Sequence, residues 1–250
     1  MTFGQLRDNY RIVEDDAILA LNKPTGVSVL GERHGSDLVS AAKEAQQELY
    51  PAHRIDKVTS GLVLCAKQLQ YHGELTRQFN KRTVEKTYLA ITRTKGLPRQ
   101  GVIDMPLCTG RKNRVRVAAA RDAITTQSGT WTVPDAEVFT HVKTYPSRTE
   151  FTKLWENRRF TLLAVRPRSG RRHQIRVHLA WIGHAIHNDP LFTTEPTGRT
   201  LLHSWRLAIA APITGSRLDL EAPPQDDFWE PVQPIDVSTV LSHAGGPAPK

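Results

Sequence analysis

The chain has 250 residues, of which 39% are hydrophobic and 24% charged, an ordinary composition for a globular protein. No run of about 18 apolar residues occurs, and residues 1–16 lack the apolar core of a signal peptide, so membrane-spanning and secreted classes are excluded and a cytoplasmic protein is expected. The formal net charge of +9, from 34 Lys and Arg against 25 Asp and Glu, indicates a polyanionic partner unless the basic surface serves solubility alone.

The length allows one large domain or two closely joined halves. We predict one domain over residues 1–243, with a frayed tail at 244–250 because that end is rich in Gly, Pro and Ala. Cys65 and Cys108 lie in apolar, strand-like runs, which favours reduced thiols over a disulfide.

The first part of the chain predicts a β-hairpin and a helix. Residues 11–24 read as a strand, a turn at Asp15-Asp16 and a second strand. Thr25-Gly26 then turns the chain into the apolar run 27–30. Residues 36–49 are predicted to form an Ala-rich helix that ends before Pro51.

The stretch 53–67 places an acid just before an apolar strand. Asp56 is followed by a predicted turn, Thr59-Ser60-Gly61, and by the strand 62–66. A carboxylate held at the start of a buried strand is rigidly positioned yet open to solvent, as a reacting group must be. The alternative is that Asp56 only caps a turn, as Asp often does.

A helix over 71–81 and a strand over 84–92 follow. In a strand, Lys86 and Tyr88 share a face, and a buried structural tyrosine is the alternative to a functional one. Residues 101–107 and 114–118 are predicted to be two arms of a further β unit, joined by a connection rich in Lys and Arg. Residues 150–155 and 159–166 are predicted to pair as antiparallel strands.

Five arginines cluster before and within the next predicted helix: Arg166, Arg168, Arg171, Arg172 and Arg176. Ser169-Gly170 is predicted to start this helix and Gly183 to end it. Arginines at a helix N-terminus favour a phosphate or carboxylate site, and the alternative is a solvated basic surface. Four histidines, at 173, 178, 184 and 187, lack metal-site spacing, so no metal is expected. Residues 200–211 and 217–221 are predicted to form the last strand pair.

Several stretches together resemble the RluA-type RNA pseudouridine synthases. The first, His53-Arg54-Ile55-Asp56 with Thr59-Ser60-Gly61-Leu62, is similar to the family's catalytic-aspartate motif. The others are Lys86-Thr87-Tyr88-Leu89-Ala90, the run from Gly170 to Leu179 with Gly183 and Asp189, Asn22-Lys23-Pro24-Thr25-Gly26, and Leu201-Leu202-His203. They cover residues 12–221 in order. One departure is Ala185-Ile186-His187-Asn188-Asp189, where the family usually has Pro-Ile/Leu-x-Gly-Asp, so this turn is expected to differ in shape.

The resemblance implies an α/β (α+β) pseudouridine synthase fold, in which a mainly antiparallel central mixed sheet is flanked by helices and loops and an active-site cleft lies on one face. It implies isomerisation of uridine to pseudouridine in structured ribosomal or transfer RNA, with no cofactor and no metal. Some members of the family carry a small RNA-binding domain ahead of the catalytic one, and because few residues precede the first matched element, no separate N-terminal RNA-binding domain is expected here. A monomer without a protein partner is expected.

The same resemblance implies roles for single residues. Asp56 attacks the nucleotide or removes a proton, Tyr88 stacks on the target base, and Arg176 pairs with Asp56 and favours its ionised form. Arg54 fills the space that the extruded base leaves, and Leu202 packs on the other side of the base. The remaining expected RNA contacts are His53, Thr59, Arg168, Arg171, Arg172 and His173.

Two other functions remain to be weighed. A non-catalytic RNA-binding protein with this fold would have lost Asp56, Tyr88 or Arg176, and all three are present. A two-carboxylate glycosidase would need a second acid beside Asp56. The candidates for that acid are Glu85 and Asp189, and neither occupies an equivalent sequence setting.

Overall fold

The computed structural model describes residues 2–31, 37–93, 96–242 and 244. Its strands are β1 (Arg11–Glu14), β2 (Ile18–Lys23), β3 (Tyr50–Pro51), β4 (Ser60–Ala66), β5 (Glu85–Thr92), β6 (Gln100–Asp104), β7 (Leu107–Thr109), β8 (Val115–Val117), β9 (Thr125–Gln127), β10 (Thr130–Thr132), β11 (Thr144–Tyr145), β12 (Arg148–Glu156), β13 (Thr161–Pro167), β14 (Leu202–Ala210) and β15 (Arg217–Glu221). Its α-helices are α1 (Phe3–Tyr10), α2 (Leu38–Glu44), α3 (Leu69–Lys81), α4 (Gln174–Trp181), α5 (Asp226–Trp229) and α6 (Val237–Ser242).

The chain divides into two compact units. The first unit comprises Met1–Tyr88 and Leu202–Phe228, and the second comprises Leu89–Leu201 and Trp229–Lys250. Strand β5 carries the chain from the first unit into the second. The prediction of a single domain over 1–243 stays a prediction, and the predicted tail lies outside the described residues except for Ala244.

The sheet of the first unit is mixed and mainly antiparallel. Strand β4 pairs antiparallel with β2 and β3, and β1 with β2, whereas β14 lies parallel to β4 and antiparallel to β15. All seven residues of β4 are buried, as expected for a central strand that is covered on both faces.

The alternation of side chains along β4 builds two hydrophobic cores. Leu62 and Leu64 pack in one core with Leu75 of α3. Val63 and Cys65 point the other way and pack with residues of α1 and α2, including Phe3 and Leu38. Because successive strand residues face opposite sides, the apolar run 62–66 needs apolar cover on both faces of the sheet.

The strands of the second unit also pair in a mixed, mainly antiparallel way. Strand β12 lies between β13 and β6 and is antiparallel to both, while β10 is parallel to β6 and forms a hairpin with β9. A small sheet places β7 between β11 and β8, and α4 packs on β8, β12 and β13. The predicted α+β class and the mainly antiparallel mixed sheet are therefore confirmed.

The predicted hairpin at 11–24, the helix at 71–81, the strand at 84–92 and the pairs 150–155/159–166 and 200–211/217–221 are confirmed within a few residues. The helix predicted over 36–49 is shorter. Residue 36 lies outside the described residues, and the helix ends because Gln46 adopts a left-handed conformation with φ 57°. The run predicted to continue as 27–30 forms only an isolated bridge at Ser28.

Three further predictions were wrong. The strand predicted over 101–107 breaks after Asp104, since Pro106 has no N–H for a ladder, and Leu107 starts a strand that pairs with β8 in a different sheet. The turn predicted at Thr59-Ser60-Gly61 lies earlier, with Thr59 N donating to Asp56 O at 3.0 Å, while Ser60 and Gly61 already belong to β4. Helix α4 begins at Gln174 rather than at Ser169-Gly170.

Cys65 and Cys108 are both buried free thiols, as predicted. Among the described helices, none has the length and hydrophobicity needed to cross a bilayer.

Candidate active site

Asp56 lies in a turn that the Asn22–Gly26 motif braces. Gly26 N donates to Lys57 O at 2.8 Å, and Thr25 Oγ1 donates to Val58 O at 3.1 Å. Thr59, buried at the end of the turn, donates its N–H to Asp56 O. Asp56 is half-buried, and the turn holds it shortly before the buried strand β4.

Close backbone packing joins the Asp56 motif to the Leu201–His203 motif. Gly61 pairs with Ser204 in the parallel β4/β14 ladder, and a Cβ at Gly61 would lie 2.7 Å from Ser204 N and 2.8 Å from Ser204 C. The φ of Gly61 is +106°, in the region that favours glycine. Only glycine therefore suits this position in the motif.

His203 links the same two motifs through its side chain. Its Nε2 lies 2.9 Å from Ala222 O, which can only accept, so Nε2 donates and Nδ1 accepts from Ser60 Oγ at 2.7 Å. Leu202 beside it is 97% buried at the start of β14. The late motif therefore helps to hold the first residues of β4 in place.

Tyr88 lies within electrostatic reach of Asp56. Burial raises the pKa of the Tyr88 phenol to about 12; a side-chain hydrogen bond with Ser204 acts in the opposite direction, and the Asp56 charge adds to the rise. The phenol is therefore protonated at neutral pH. Tyr88 also packs against the hydrophobic cluster that contains Ile55, the residue before Asp56, and its predicted role in the site stays a prediction.

His53 is tied to protein groups. Its Nε2 accepts a hydrogen bond from Leu64 N at 3.1 Å, and its ring stacks on Phe79 with the centroids 4.6 Å apart. Burial, and then the charge of Lys86, lower its pKa to about 3. His53 is therefore neutral at physiological pH and anchors the start of the Asp56 segment, whereas the adjacent Arg54 is exposed.

In the second unit, Gln174 organises the segment before α4. Its Oε1 accepts from Ser169 Oγ at 2.7 Å and from Arg171 N at 3.1 Å, and its Nε2 donates to Arg148 O and Thr149 Oγ1, both at 3.0 Å. Ser169 is thereby used as a donor and does not cap the helix. This explains why α4 starts late, with His173 as its N-cap in a left-handed conformation of φ 56°.

A buried histidine completes this network. His178 Nε2 lies 3.0 Å from Met105 O and must donate to it, so Nδ1 accepts from Thr149 Oγ1 at 2.9 Å. Burial lowers the pKa of His178 to about 4. Sequence reasoning treated His178 only as a rejected metal ligand and gave Gln174 no role, although both lie inside the quoted motif.

Arg176 forms a buried bidentate pair with Asp189. Arg176 Nε donates to Oδ2 at 2.8 Å and Nη2 donates to Oδ1 at 2.6 Å, and Leu191 N also donates to Oδ1. Sequence reasoning included Asp189 in a motif but missed this pairing. The predicted pair of Arg176 with Asp56 stays a prediction.

Asn188, where the sequence departs from the family pattern, adopts a left-handed backbone conformation. Its φ of 57° lies in the region that glycine occupies freely and that asparagine tolerates better than most residues. The expected difference in the shape of this turn stays a prediction.

The arginines of the predicted anion cluster have different surroundings. Arg166 donates to Thr152 Oγ1 and to Ala244 O, and Arg168 donates two hydrogen bonds to Glu150. Arg172 instead contacts Asn113 O, and Arg171 lies over the Tyr145 ring. Arg172 thus joins the segment before α4 to the basic 3-10 turn Arg111–Asn113.

A second basic group lies on the same unit. The guanidinium carbons of Arg116 and Arg121 lie 5.5 and 4.7 Å from the centroid of the Trp181 indole ring. Backbone carbonyls accept their hydrogen bonds: Val117 and Ala119 from Arg116, and Ala180 from Arg121. Among the described residues, no carboxylate is paired with either cation, which leaves positive charge for an anionic ligand.

The two carboxylates considered for a glycosidase are both held by arginines. Glu85 receives two hydrogen bonds from Arg217, each of 3.1 Å, and Asp189 receives two from Arg176. Arginine partners stabilise the ionised form of a carboxylate, so neither residue suits the role of a proton donor.

Comparisons with known proteins agree with these motifs. The model of the family described as RNA pseudouridylate synthase matches residues 17–181. The ribosomal large subunit pseudouridine synthase D of Nitrosomonas europaea is 33% identical over 243 residues, which are 90% of this chain and 64% of that protein. The dual-specificity RNA pseudouridine synthase RluA of Pasteurella multocida is 33% identical over 218 residues, 84% of this chain and 90% of that protein.

This chain spans a little under two thirds of the first two relatives, 64% and 63% of their lengths. Two human structures share the fold. RNA Pseudouridylate Synthase Domain Containing 4 has a TM-score of 0.72 at 21% identity, covering 90% of this chain and 92% of that one. RNA Pseudouridylate Synthase Domain Containing 1 has a TM-score of 0.69 at 20% identity, covering 96% of this chain and 96% of that one. The chain belongs to the RNA pseudouridylate synthase family and is of the RluA type.

Proposed function

We propose that this protein isomerises uridine to pseudouridine in structured RNA, in ribosomal RNA, transfer RNA or both. The observation that carries the proposal is the half-buried carboxylate of Asp56, fixed before β4 and electrostatically coupled to the Tyr88 phenol. Family membership supports it, since the similar proteins are named for this activity.

The reaction breaks the bond between N1 of uracil and C1′ of the ribose and forms a bond between C5 and C1′. The proton on C5 is lost and N1 gains one, so no net redox change occurs. Asp56 acts as the nucleophile or base that starts this exchange, and Tyr88 stacks on the base and assists a proton transfer. Arg176 favours the ionised state of Asp56.

The target uridine must leave its stack, at a cost of about a few kcal/mol. Arg54, exposed two residues before Asp56, fills the space that the base vacates, and Leu202 packs on the base. His53 positions the Asp56 segment through its hydrogen bond with Leu64 N. Thr59 supports the same turn through its backbone.

Cations of the second unit bind the RNA backbone in this proposal. Arg171, Arg172 and His173 lie before α4, the 3-10 turn Arg111–Asn113 adjoins them through Arg172, and Arg116 and Arg121 flank the Trp181 ring. Arg168 is already paired with Glu150 and contributes less. Such contacts give affinity that does not depend on sequence and falls as salt rises.

The test uses ribosomal and transfer RNA labelled with tritium at C5 of uridine, because pseudouridine formation releases that tritium. Wild-type protein should release tritium and form pseudouridine. Asp56→Asn should bind RNA with similar affinity and release none, since an amide is neither a nucleophile nor a base here.

Two results would contradict the proposal in different ways. If the wild-type protein binds RNA but forms no pseudouridine on any cellular RNA, the non-catalytic RNA-binding alternative holds. If Asp56→Asn is as active as the wild type, the reaction does not depend on Asp56.

A further inference from the structure

Lys86 lies on the same face of β5 as Tyr88. Residues two apart in a strand project to one side, roughly 7 Å from each other. Lys86 couples electrostatically to His53, and Tyr88 couples to Asp56, which lies three residues after His53. Tyr88 packs against the hydrophobic cluster that contains Ile55, so the segment from His53 to Asp56 lies near the face of β5 that carries Lys86 and Tyr88.

Lys86 has no neutralising carboxylate among the residues that the structure describes. Glu85, its neighbour in sequence, faces the other side of the strand and is held by Arg217. The charged group that acts on Lys86 is Arg82, also a cation. Within the part of the chain that the structure describes, no ion pair or hydrogen bond occupies the Lys86 ammonium.

The Lys86 ammonium is partly withdrawn from water. Burial, and then the charge of Arg82, lower its pKa to about 8. Withdrawing a cation from water without a counter-ion is unfavourable, and an anion bound beside the ammonium would remove that cost and raise its pKa again. The site is thus suited to a ligand that brings a negative charge.

We propose that Lys86 binds a phosphodiester group next to the target uridine. This inference rests on the proposed function, because it takes the target base to stack on Tyr88. A base and the phosphate of its own nucleotide are separated by a distance of the same order as that between Lys86 and Tyr88. Lys86 therefore anchors the nucleotide by its charge while Tyr88 contacts its base, and Arg82 adds positive potential.

The experiment uses short RNAs that carry the modified uridine and a single uncharged methylphosphonate at either its 5′ or its 3′ phosphate. For the wild type, neutralising one of the two positions should lower kcat/KM about tenfold, the effect of losing one charge-assisted contact. Lys86→Met should have a kcat/KM about tenfold below the wild type on the natural RNA. Its kcat/KM should not fall further on the RNA that carries the methylphosphonate. Lys86→Arg should retain most activity and remain sensitive to the neutral phosphate.

Lys43→Met, an exposed lysine on α2, is the matched control and should behave as the wild type. Lys86→Gln, with circular dichroism of each variant, serves if Lys86→Met does not fold. The inference is overturned if wild-type activity ignores both neutral phosphates, or if the losses from Lys86→Met and from the neutral phosphate multiply. Failure of the proposed function is a different result, in which wild-type protein forms no pseudouridine on the natural RNA.

Discussion

The guanidinium of Arg176 and the carboxylate of Asp189 form two parallel hydrogen bonds, of 2.8 and 2.6 Å, between side chains that are 4% and 0% exposed. A pair so deeply buried holds its cation in one orientation. Oδ1 of Asp189 also accepts a hydrogen bond from Leu191 N, so the same carboxylate orders the chain after Asn188.

Asp189→Asn is expected to lower the free energy of unfolding by about 3–5 kcal/mol, because it leaves the buried Arg176 charge without its carboxylate. Urea denaturation followed by circular dichroism measures this change. Asp219→Asn is the control: Asp219 is 67% exposed and its partner Arg217 keeps Glu85, so a change below about 1 kcal/mol is expected. Equal effects of the two variants would contradict a structural role for the buried pair.

The hydroxyl of Tyr88 can be tested separately from its ring. Tyr88→Phe keeps the aromatic ring and removes only the hydroxyl, which forms a hydrogen bond with Ser204. KM for RNA should therefore change less than about threefold, while kcat falls about 100-fold or more. Tyr88→Leu should raise KM as well.

The wild-type pH profile provides a second measurement on Tyr88. With the phenol pKa raised to about 12, kcat should show no step from this group between pH 6 and 9. If kcat of Tyr88→Phe equals that of the wild type, the Tyr88 hydroxyl takes no part in the reaction.

Two glycines provide a matched pair for stability. Gly61→Ala should destabilise the protein by more than about 2 kcal/mol, since a Cβ would overlap the Ser204 backbone and φ is +106°. Gly73→Ala, in α3 with nothing within 4 Å of the new Cβ, should stabilise it by about 0.5–1 kcal/mol. Thermal unfolding of both variants measures these changes in stability. If Gly61→Ala is as stable as the wild type, the β4 and β14 backbones can move apart to make room for the Cβ.

His178 makes stability depend on pH. Its pKa is lowered to about 4 in the folded protein against about 6.5 in an unfolded chain, so between these values the unfolded state binds more protons. Stability is therefore present above about pH 6.5 and is lost as the pH falls toward 4. The expected loss from pH 7 to pH 5 is about 1–2 kcal/mol, and His53, whose pKa is about 3, acts in the same direction.

Denaturant unfolding at a series of pH values measures that slope. His178→Gln should reduce this slope without abolishing it, because His53 still contributes, while His141→Gln, at an exposed site, should leave it unchanged. An unaltered slope in His178→Gln would assign the acid sensitivity to other groups.

Local patterns predicted much of the fold. The alternation in 84–92 placed Lys86 and Tyr88 on one face, and the spacing of apolar residues in 71–81 identified α3. The strand after Asp56 was also expected, although the turn before it lies earlier in the chain than predicted. These features depend on residues close in sequence, whose periodicity the chain itself displays.

Other elements depended on distant partners. Ser169-Gly170 looks like a helix start, but the Ser169 hydroxyl is used by Gln174, which also donates to Arg148 O. Arg168 looked available for phosphate, but Glu150 on the neighbouring strand pairs with it. Neither partner can be read from spacing.

Local patterns and the family resemblance were enough to predict the α+β class and the order of the motifs, because motif identity and hydrophobic periodicity depend on residues close together in the chain. The neutralisation of charges emerged only on folding: Asp189 pairs with Arg176 and Arg217 pairs with Glu85, while Lys86 has no carboxylate partner among the described residues. An ion pair depends on distances of a few ångströms, and folding brings together residues that are far apart in the chain.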